Sequence, residues 1–397
     1  MFKKIGPGVL IAAAFIGPGT ITACSIAGVG FGYALLWAMF LSILATMALQ
    51  EMAARLGVVS QKGLALVIRE QLKSKWIRIA VLMIIIGAIL IGNTAYEAGN
   101  IGGATLGMTA LFGNKYSVYY PFIVGFLAFA LLWMGSYKVL EKVFVGLIFL
   151  MSLSFIVTAI ITQPDVSLIL KGLFLPTFPE EGLLTIIALV GTTVVPYNLF
   201  LHASLVNEKW KSKDDLRSVR WDTIVSIATG GFISMTIIIA AAAIPSKEIV
   251  GALDLAKGLE PLFGNAARYF MGVGLFAAGI TSAITAPLAA AYVANNCFGW
   301  NADLKDWKFR LVWILILGVG VLSLSLKIRP IEIIQFAQIA NGALLPVIAI
   351  LLVWIVNKNE VMGKYRNSFI HNIIGFTIIV LSIFLGAKSI FKVFDLF

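Results

Sequence analysis

Long apolar runs separated by short charged segments dominate the chain. Runs of roughly 18 residues or more, enough to cross a bilayer as a helix, fall at 9–29, 33–54, 78–108, 117–137, 142–163, 183–206, 222–244, 266–297, 309–327, 331–357 and 368–388. The pattern predicts eleven crossings in one transmembrane domain. Two of the runs are interrupted at their centres. In the first, Gly17-Pro18-Gly19-Thr20 sits inside Val9–Val29; proline lacks an amide proton and clashes with the preceding turn, and glycine allows angles that end a helix. In the sixth, Gly191-Thr192-Thr193-Val194-Val195-Pro196-Tyr197-Asn198 interrupts a second helix in the same way. Exposed peptide groups at mid-membrane depth are tolerated only where they are buried in protein or line a polar cavity. Paired interruptions in corresponding halves of a chain point to a transporter's substrate site. The expected organisation is repeat one over about 9–163, repeat two over about 183–357 and an extra helix over about 368–388.

Composition removes the alternatives. The chain has 397 residues, 60% of them hydrophobic and 12% charged, which no soluble globular class shows. The net charge of +11 reflects Lys and Arg gathered in 55–78, 209–220 and 358–366. Such asymmetry places the N-terminus in the cytoplasm and the C-terminus outside. A nucleic-acid partner would need a basic soluble domain, and none is expected. Met1-Phe2-Lys3-Lys4 runs directly into the first span, so no cleavable signal is expected. Cys24 and Cys297 both lie in spans and read as free thiols. Enzyme chemistry has little support: the histidines are His202 and His371, and neither HExxH nor GxSxG occurs. No cofactor is expected.

Polar residues inside the spans are the candidate chemistry. Glu51 and Arg55 stand one helical turn apart and read as an interfacial ion pair. Asn93, Thr94, Glu97 and Asn100 share a face of the third span, followed by Gly102-Gly103-Ala104, whose small side chains suit close helix packing. An acid this deep in a span is a functional candidate by default, and Glu97 is expected to be protonated at rest and to carry a coupling proton. Thr281, Ser282 and Thr285 in the eighth span, beside Pro287, and Gln335, Gln338 and Asn341 in the tenth, beside Pro346, carry hydroxyls and amides that can satisfy helix neighbours or bind a substrate or Na⁺, and the structural role is the favoured one.

The chain closely resembles the NRAMP family of divalent-metal transporters, as a divergent prokaryotic relative, over nearly its whole length. The resemblance rests on Gly6-Pro7-Gly8 leading to Pro18-Gly19, on Ala53-Ala54-Arg55-Leu56-Gly57-Val58-Val59, on Asn198 to Val206, on Gly274 to Tyr292, and on Gly363-Lys364-Tyr365-Arg366-Asn367-Ser368. It implies an all-α integral membrane protein of the LeuT-type fold, with two inverted five-helix repeats, an eleventh helix, and helices 1 and 6 unwound in mid-membrane. It implies a prokaryotic plasma membrane location. The family's metal ligands, however, are missing. Its first-helix motif is Asp-Pro-Gly-Asn, and here Gly17 replaces the Asp and Thr20 the Asn. Its sixth-helix motif is Ala-x-x-Met-Pro-His, and here those positions hold Thr192, Val195, Pro196 and Tyr197. The third-helix acidic pair is reduced to Glu97 and Asn100, while His202 matches the family's second sixth-helix histidine.

A dication sheds strongly bound water to enter such a site and needs carboxylate, imidazole or thiolate ligands in return. One direct carboxylate contact is worth on the order of 10 kcal/mol at an effective dielectric of ~20. With that charge gone, the half-helix ends set the local field, and a helix N-terminus favours anions. The expected function is secondary transport of a small anion, bicarbonate or a small carboxylate, by alternating access; the alternative is a divalent-metal transporter of the Mg²⁺ or Mn²⁺ class with an altered site. The expected substrate residues are Gly17, Gly19, Thr20, Thr192, Thr193, Val195, Tyr197 and Asn198. Glu97, Asn100 and His202 are the expected coupling pathway, with no metal-ligand set. The expected partners are a small ionic substrate, membrane lipid and a coupling H⁺ or Na⁺, in a protein that works as a monomer.

Overall fold

The computed structural model describes residues 6–179, 181–244, 265–325 and 344–393. The first interrupted run forms α1 (Gly8–Phe15) and α2 (Pro18–Phe31). They are followed by α3 (Leu36–Ser60), α4 (Leu64–Gln71), α5 (Lys75–Phe112), α6 (Tyr120–Trp133), α7 (Tyr137–Ile161) and α8 (Val166–Phe174). The second interrupted run forms α9 (Leu183–Thr193) and α10 (Pro196–Lys209), and α11 (Leu216–Ala241), α12 (Asn265–Phe298) and α13 (Trp307–Ser325) come next. The described chain closes with α14 (Leu344–Val356), α15 (Asn359–Met362) and α16 (Phe369–Val393). Among the described residues, eight helices are long and apolar enough to cross a membrane and two bent pairs pass the same test together. The shorter apolar helix Ser117–Trp133 lies where the fourth span is expected. Gln335, Gln338 and Asn341 fall outside the described residues.

The two interruptions differ. At the first, the chain bends by 54° between α1 and α2. Gly17 is extended there (φ −89°, ψ −178°) and Pro18 opens α2 at its first position, where the missing amide costs nothing. At the second, Val195 is extended (φ −84°, ψ 120°) and Pro196 opens α10 in the same way. Leu183–Lys209 still passes as one span of 27 residues, so this break leaves Val194 and Val195 outside the two helices without a comparable bend.

Small residues press α5 against both the break and α12. A Cβ on Gly103 would overlap the ring of Pro18, and one on Gly279 would overlap the backbone of Ala104. The packing expected of Gly102-Gly103-Ala104 is therefore directed at the interrupted helix.

Two polar clusters tie down the ends of the helices. The carboxylate of Asp222, buried on α11, accepts the backbone N–H of Gly6 at 2.6 Å and of Gly8 at 2.7 Å, fixing the start of α1. A helix start leaves amides without intrahelical partners, and here one side chain satisfies that of Gly8 together with the Gly6 amide just before the cap. Removing it strands two buried donors, so Asp222→Ala is expected to cost about 2–4 kcal/mol. The check is a lower melting temperature in detergent, with Asp222→Asn intermediate.

The second cluster centres on Arg55, expected at the interface but found buried. Its Nε donates to Glu51 Oε1 at 3.0 Å, and its terminal nitrogens donate to the Tyr365 carbonyl and to Asn367 Oδ1. Glu51 also accepts from Arg220 Nε at 2.7 Å. One ion pair thus joins α3 to α11 and to the segment that follows α15.

Candidate substrate site

The residues expected to line the site are buried, except that Gly19 is half-buried. Their polar atoms fall into two groups. The first group is already engaged. The Thr20 hydroxyl donates to the Phe15 carbonyl and pairs at 2.8 Å with Thr192 Oγ1. Because Thr20 has one proton and gives it to Phe15, Thr192 is the donor between the two hydroxyls. Tyr197 Oη donates to the Ala14 carbonyl at 3.2 Å, and its ring meets Tyr96 edge-on at 6.2 Å. The last carbonyls of α1, left open by the break, are therefore satisfied by hydroxyls from α2 and α10. Thr193 donates to the Leu189 carbonyl at 2.7 Å, inside its own helix, and contacts Met39 Sδ at 3.6 Å. Val195 contributes its extended backbone, whose carbonyl accepts the Asn198 N–H at 3.1 Å.

The second group is buried and open. Asn198, in the first turn of α10, has neither Oδ1 nor Nδ2 paired. At the start of α2 no side chain caps the helix, so the amides of Gly19 and Thr20 lack intrahelical acceptors. Glu97 is fully buried; its Oε2 accepts from Asn100 Nδ2 at 3.4 Å and its Oε1 is unpaired. Asn100 Oδ1 in turn lies 3.7 Å from the point a Cβ on Gly17 would occupy. The acid on α5 thus reaches the first break through one amide side chain, which the sequence alone left undecided. His202 Nδ1 pairs with Gln50 Oε1 at 2.9 Å and its Nε2 is unpaired.

Ser282 was expected to be structural, and the structure places it at the break. Its Oγ is buried, unpaired and 2.6 Å from the position of a Cβ on Gly17. The only sequence signal was its place in the Thr281-Ser282-Thr285 run. Among the described residues, no group of three or more His, Cys, Asp or Glu is placed to hold a metal ion.

Known proteins agree with this architecture. The chain is 28% identical to the divalent metal cation transporter MntH of Klebsiella pneumoniae (strain 342) over 394 residues, covering 96% of this chain and 92% of that protein. Among solved structures, it resembles the Eremococcus coleocola manganese transporter at a TM-score of 0.81, with 22% identity over 98% of this chain and 86% of that one. It also resembles MhsT in complex with L-phenylalanine, at a TM-score of 0.66 and 15% identity, with 97% of each chain covered. The all-α, LeuT-type fold expected from the resemblance is the fold found, and the protein is an integral membrane transporter and not an enzyme. The natural resistance-associated macrophage protein-like family matches residues 8–392, and the chain belongs to that family.

Proposed function

We propose that this transporter carries a small anion, with bicarbonate favoured, and that it binds the anion between the two interrupted helices. The observation that carries the reading is the chemistry left open at the breaks. The positions that would supply aspartate, methionine and histidine hold Gly17, Val195 and Tyr197, and the hydroxyls of Thr20, Thr192 and Tyr197 are spent on one another and on helix ends. What remains at the breaks is neutral: the α2 amides, which favour negative charge, the Ser282 hydroxyl and the amide of Asn198. An Asn side chain both donates and accepts. Bicarbonate offers acceptor oxygens together with one hydroxyl donor, so it can pair both Asn198 atoms, whereas a carboxylate would pair only the donor.

Within this reading Gly17, Gly19, Thr20, Thr192, Thr193, Val195, Tyr197 and Asn198 form the substrate site, the threonines and Tyr197 by shaping it. Glu97, Asn100 and His202 form the coupling pathway for H⁺ or Na⁺. The repeats run over about 9–163 and 183–357, the N-terminus is cytoplasmic and the C-terminus outside, and the working unit is a monomer. The experiment is labelled-bicarbonate uptake into proteoliposomes: saturable uptake by the parent that weakens at least tenfold in KM for Asn198→Ala supports the reading, and uptake indifferent to Asn198 opposes it.

The second reading is divalent-metal transport, and the specific observation for it is the function of the relatives, a divalent metal cation transporter and a manganese transporter. In that case Asn198 Oδ1, Asn100 Oδ1 and Glu97 would be the oxygen ligands. The relatives favour this reading and the composition of the site favours the first.

Glu97 gives a prediction that separates coupling from binding. Glu97→Gln keeps the shape of the neutral acid, so the fold should be retained and the pH dependence of uptake should flatten. Uptake measured between pH 5.5 and pH 8 checks this; a mutant as pH-dependent as the parent would remove Glu97 from the coupling pathway.

A further inference from the structure

Helix α12 carries three hydroxyls within two turns, and two of them are committed. Thr281 donates to the carbonyls of Ala277 and Ala278, at 2.9 and 3.0 Å, and Thr285 donates to the Thr281 carbonyl at 3.1 Å. Such back-bonding is the ordinary fate of a helical hydroxyl. Ser282 departs from it. The residue is 1% exposed and its buried Oγ finds no partner, on a helix where backbone acceptors lie within reach of its neighbours. An unpaired buried hydroxyl is destabilising, and a ligand at the break that accepts from it would relieve that cost.

The hydroxyl faces Gly17. A Cβ at position 17 would lie 2.6 Å from Ser282 Oγ and 3.4 Å from Ser282 Cβ, closer to the oxygen than a non-bonded carbon can sit. Any side chain at 17 and the present Ser282 rotamer are therefore mutually exclusive. The volume next to the extended backbone of the first break is held by a neutral hydroxyl from α12, with Asn100 Oδ1 beside it.

We infer that Ser282 is a substrate-contacting, specificity-determining residue, and that positions 17 and 282 set selectivity as a pair: with glycine at 17 the hydroxyl projects to the break and donates to an anion bound there. This rests on the reading that the substrate binds at the first break. A hydroxyl donor beside free amides suits an oxyanion, and it supplies no charge that would hold a dication.

The test is a double-mutant cycle on the full-length transporter, read in two ways. Parent, Gly17→Ala, Ser282→Ala and the double mutant are compared by melting temperature in detergent without substrate and by KM in proteoliposomes. The probe is labelled bicarbonate; Mn²⁺ uptake by the parent with no bicarbonate uptake would overturn the inference together with the anion reading. Ser282→Ala removes an unsatisfied group, so its melting temperature should equal or exceed the parent's while KM rises about tenfold, the worth of one hydrogen bond to a charged group. Gly17→Ala should lower the melting temperature, and Ser282→Ala should restore it in the double mutant by removing the clashing oxygen. The KM of the double mutant should stay at the Ser282→Ala level instead of rising a further tenfold. A Ser282→Ala protein with parental KM, alongside an Asn198→Ala protein with raised KM, would overturn the role of Ser282 and leave the site standing. Parental KM in both would remove the substrate from this break altogether. A lowered melting temperature for Ser282→Ala would mark the hydroxyl as structural and overturn the inference as well.

Discussion

Gly17→Asp should lower the affinity for bicarbonate by roughly a thousandfold at neutral pH. In the proposed reading, the substitution puts a carboxylate where the anion's charge is held. At ~4 Å and an effective dielectric of ~20, two like charges repel by about 4 kcal/mol, which corresponds to that factor. The structure adds a steric component, because the new Cβ meets Ser282 Oγ at 2.6 Å and forces that hydroxyl away from the break. Proton uptake by the new acid should return part of the activity at low pH. The measurement is uptake by protein shown to be monodisperse on size exclusion. A monodisperse Gly17→Asp transporter with parental affinity at neutral pH would place the anion elsewhere.

The largest expected loss of stability lies at Glu51. Arg55 is 2% exposed, and Glu51 is the carboxylate that neutralises it. Removing one member of a buried pair leaves an uncompensated charge, so Glu51→Ala should cost about 3–5 kcal/mol. Arg220 reaches the same carboxylate from a side chain that is 45% exposed. Solvent screens that contact and Arg55 still neutralises Glu51, so Arg220→Ala should cost no more than about 1 kcal/mol. Melting temperatures of the two variants in one detergent check the contrast. Equal, small shifts would show that Arg55 is held by the Tyr365 carbonyl and Asn367 alone.

The backbone of the site was legible in the sequence because its causes are local. Proline removes an amide wherever it occurs, so interruptions within Gly17–Thr20 and Gly191–Asn198 could be expected without knowing any neighbour, and the structure narrows them to Ile16-Gly17 and Val194-Val195, with Pro18 and Pro196 opening the next helices. Their difference in bend could not, since it depends on how each half-helix packs. The hydroxyls were legible as residue types but not as free donors. Thr20 and Thr192 are 172 positions apart, and their pairing exists only because the two breaks meet. The Asp222 clamp on Gly6 and Gly8 spans more than 200 positions and has no periodic signature. Ser282 sat in a run where two neighbours do what helical hydroxyls usually do, so its exception showed only once Gly17 was beside it. Glu97 was picked out by depth alone, and its route to the break through Asn100 required the geometry of α5 against α2.

In the proposed reading, a break without charged ligands carries an anion and not a dication. The most direct measurement is a side-by-side uptake assay in one batch of proteoliposomes, with labelled bicarbonate and with Mn²⁺, for the parent and for Asn198→Ala. The account predicts saturable bicarbonate uptake that Asn198→Ala weakens, with Mn²⁺ uptake no greater than in empty liposomes. Saturable Mn²⁺ uptake that is lost in Asn198→Ala, with no bicarbonate uptake above background, would contradict it.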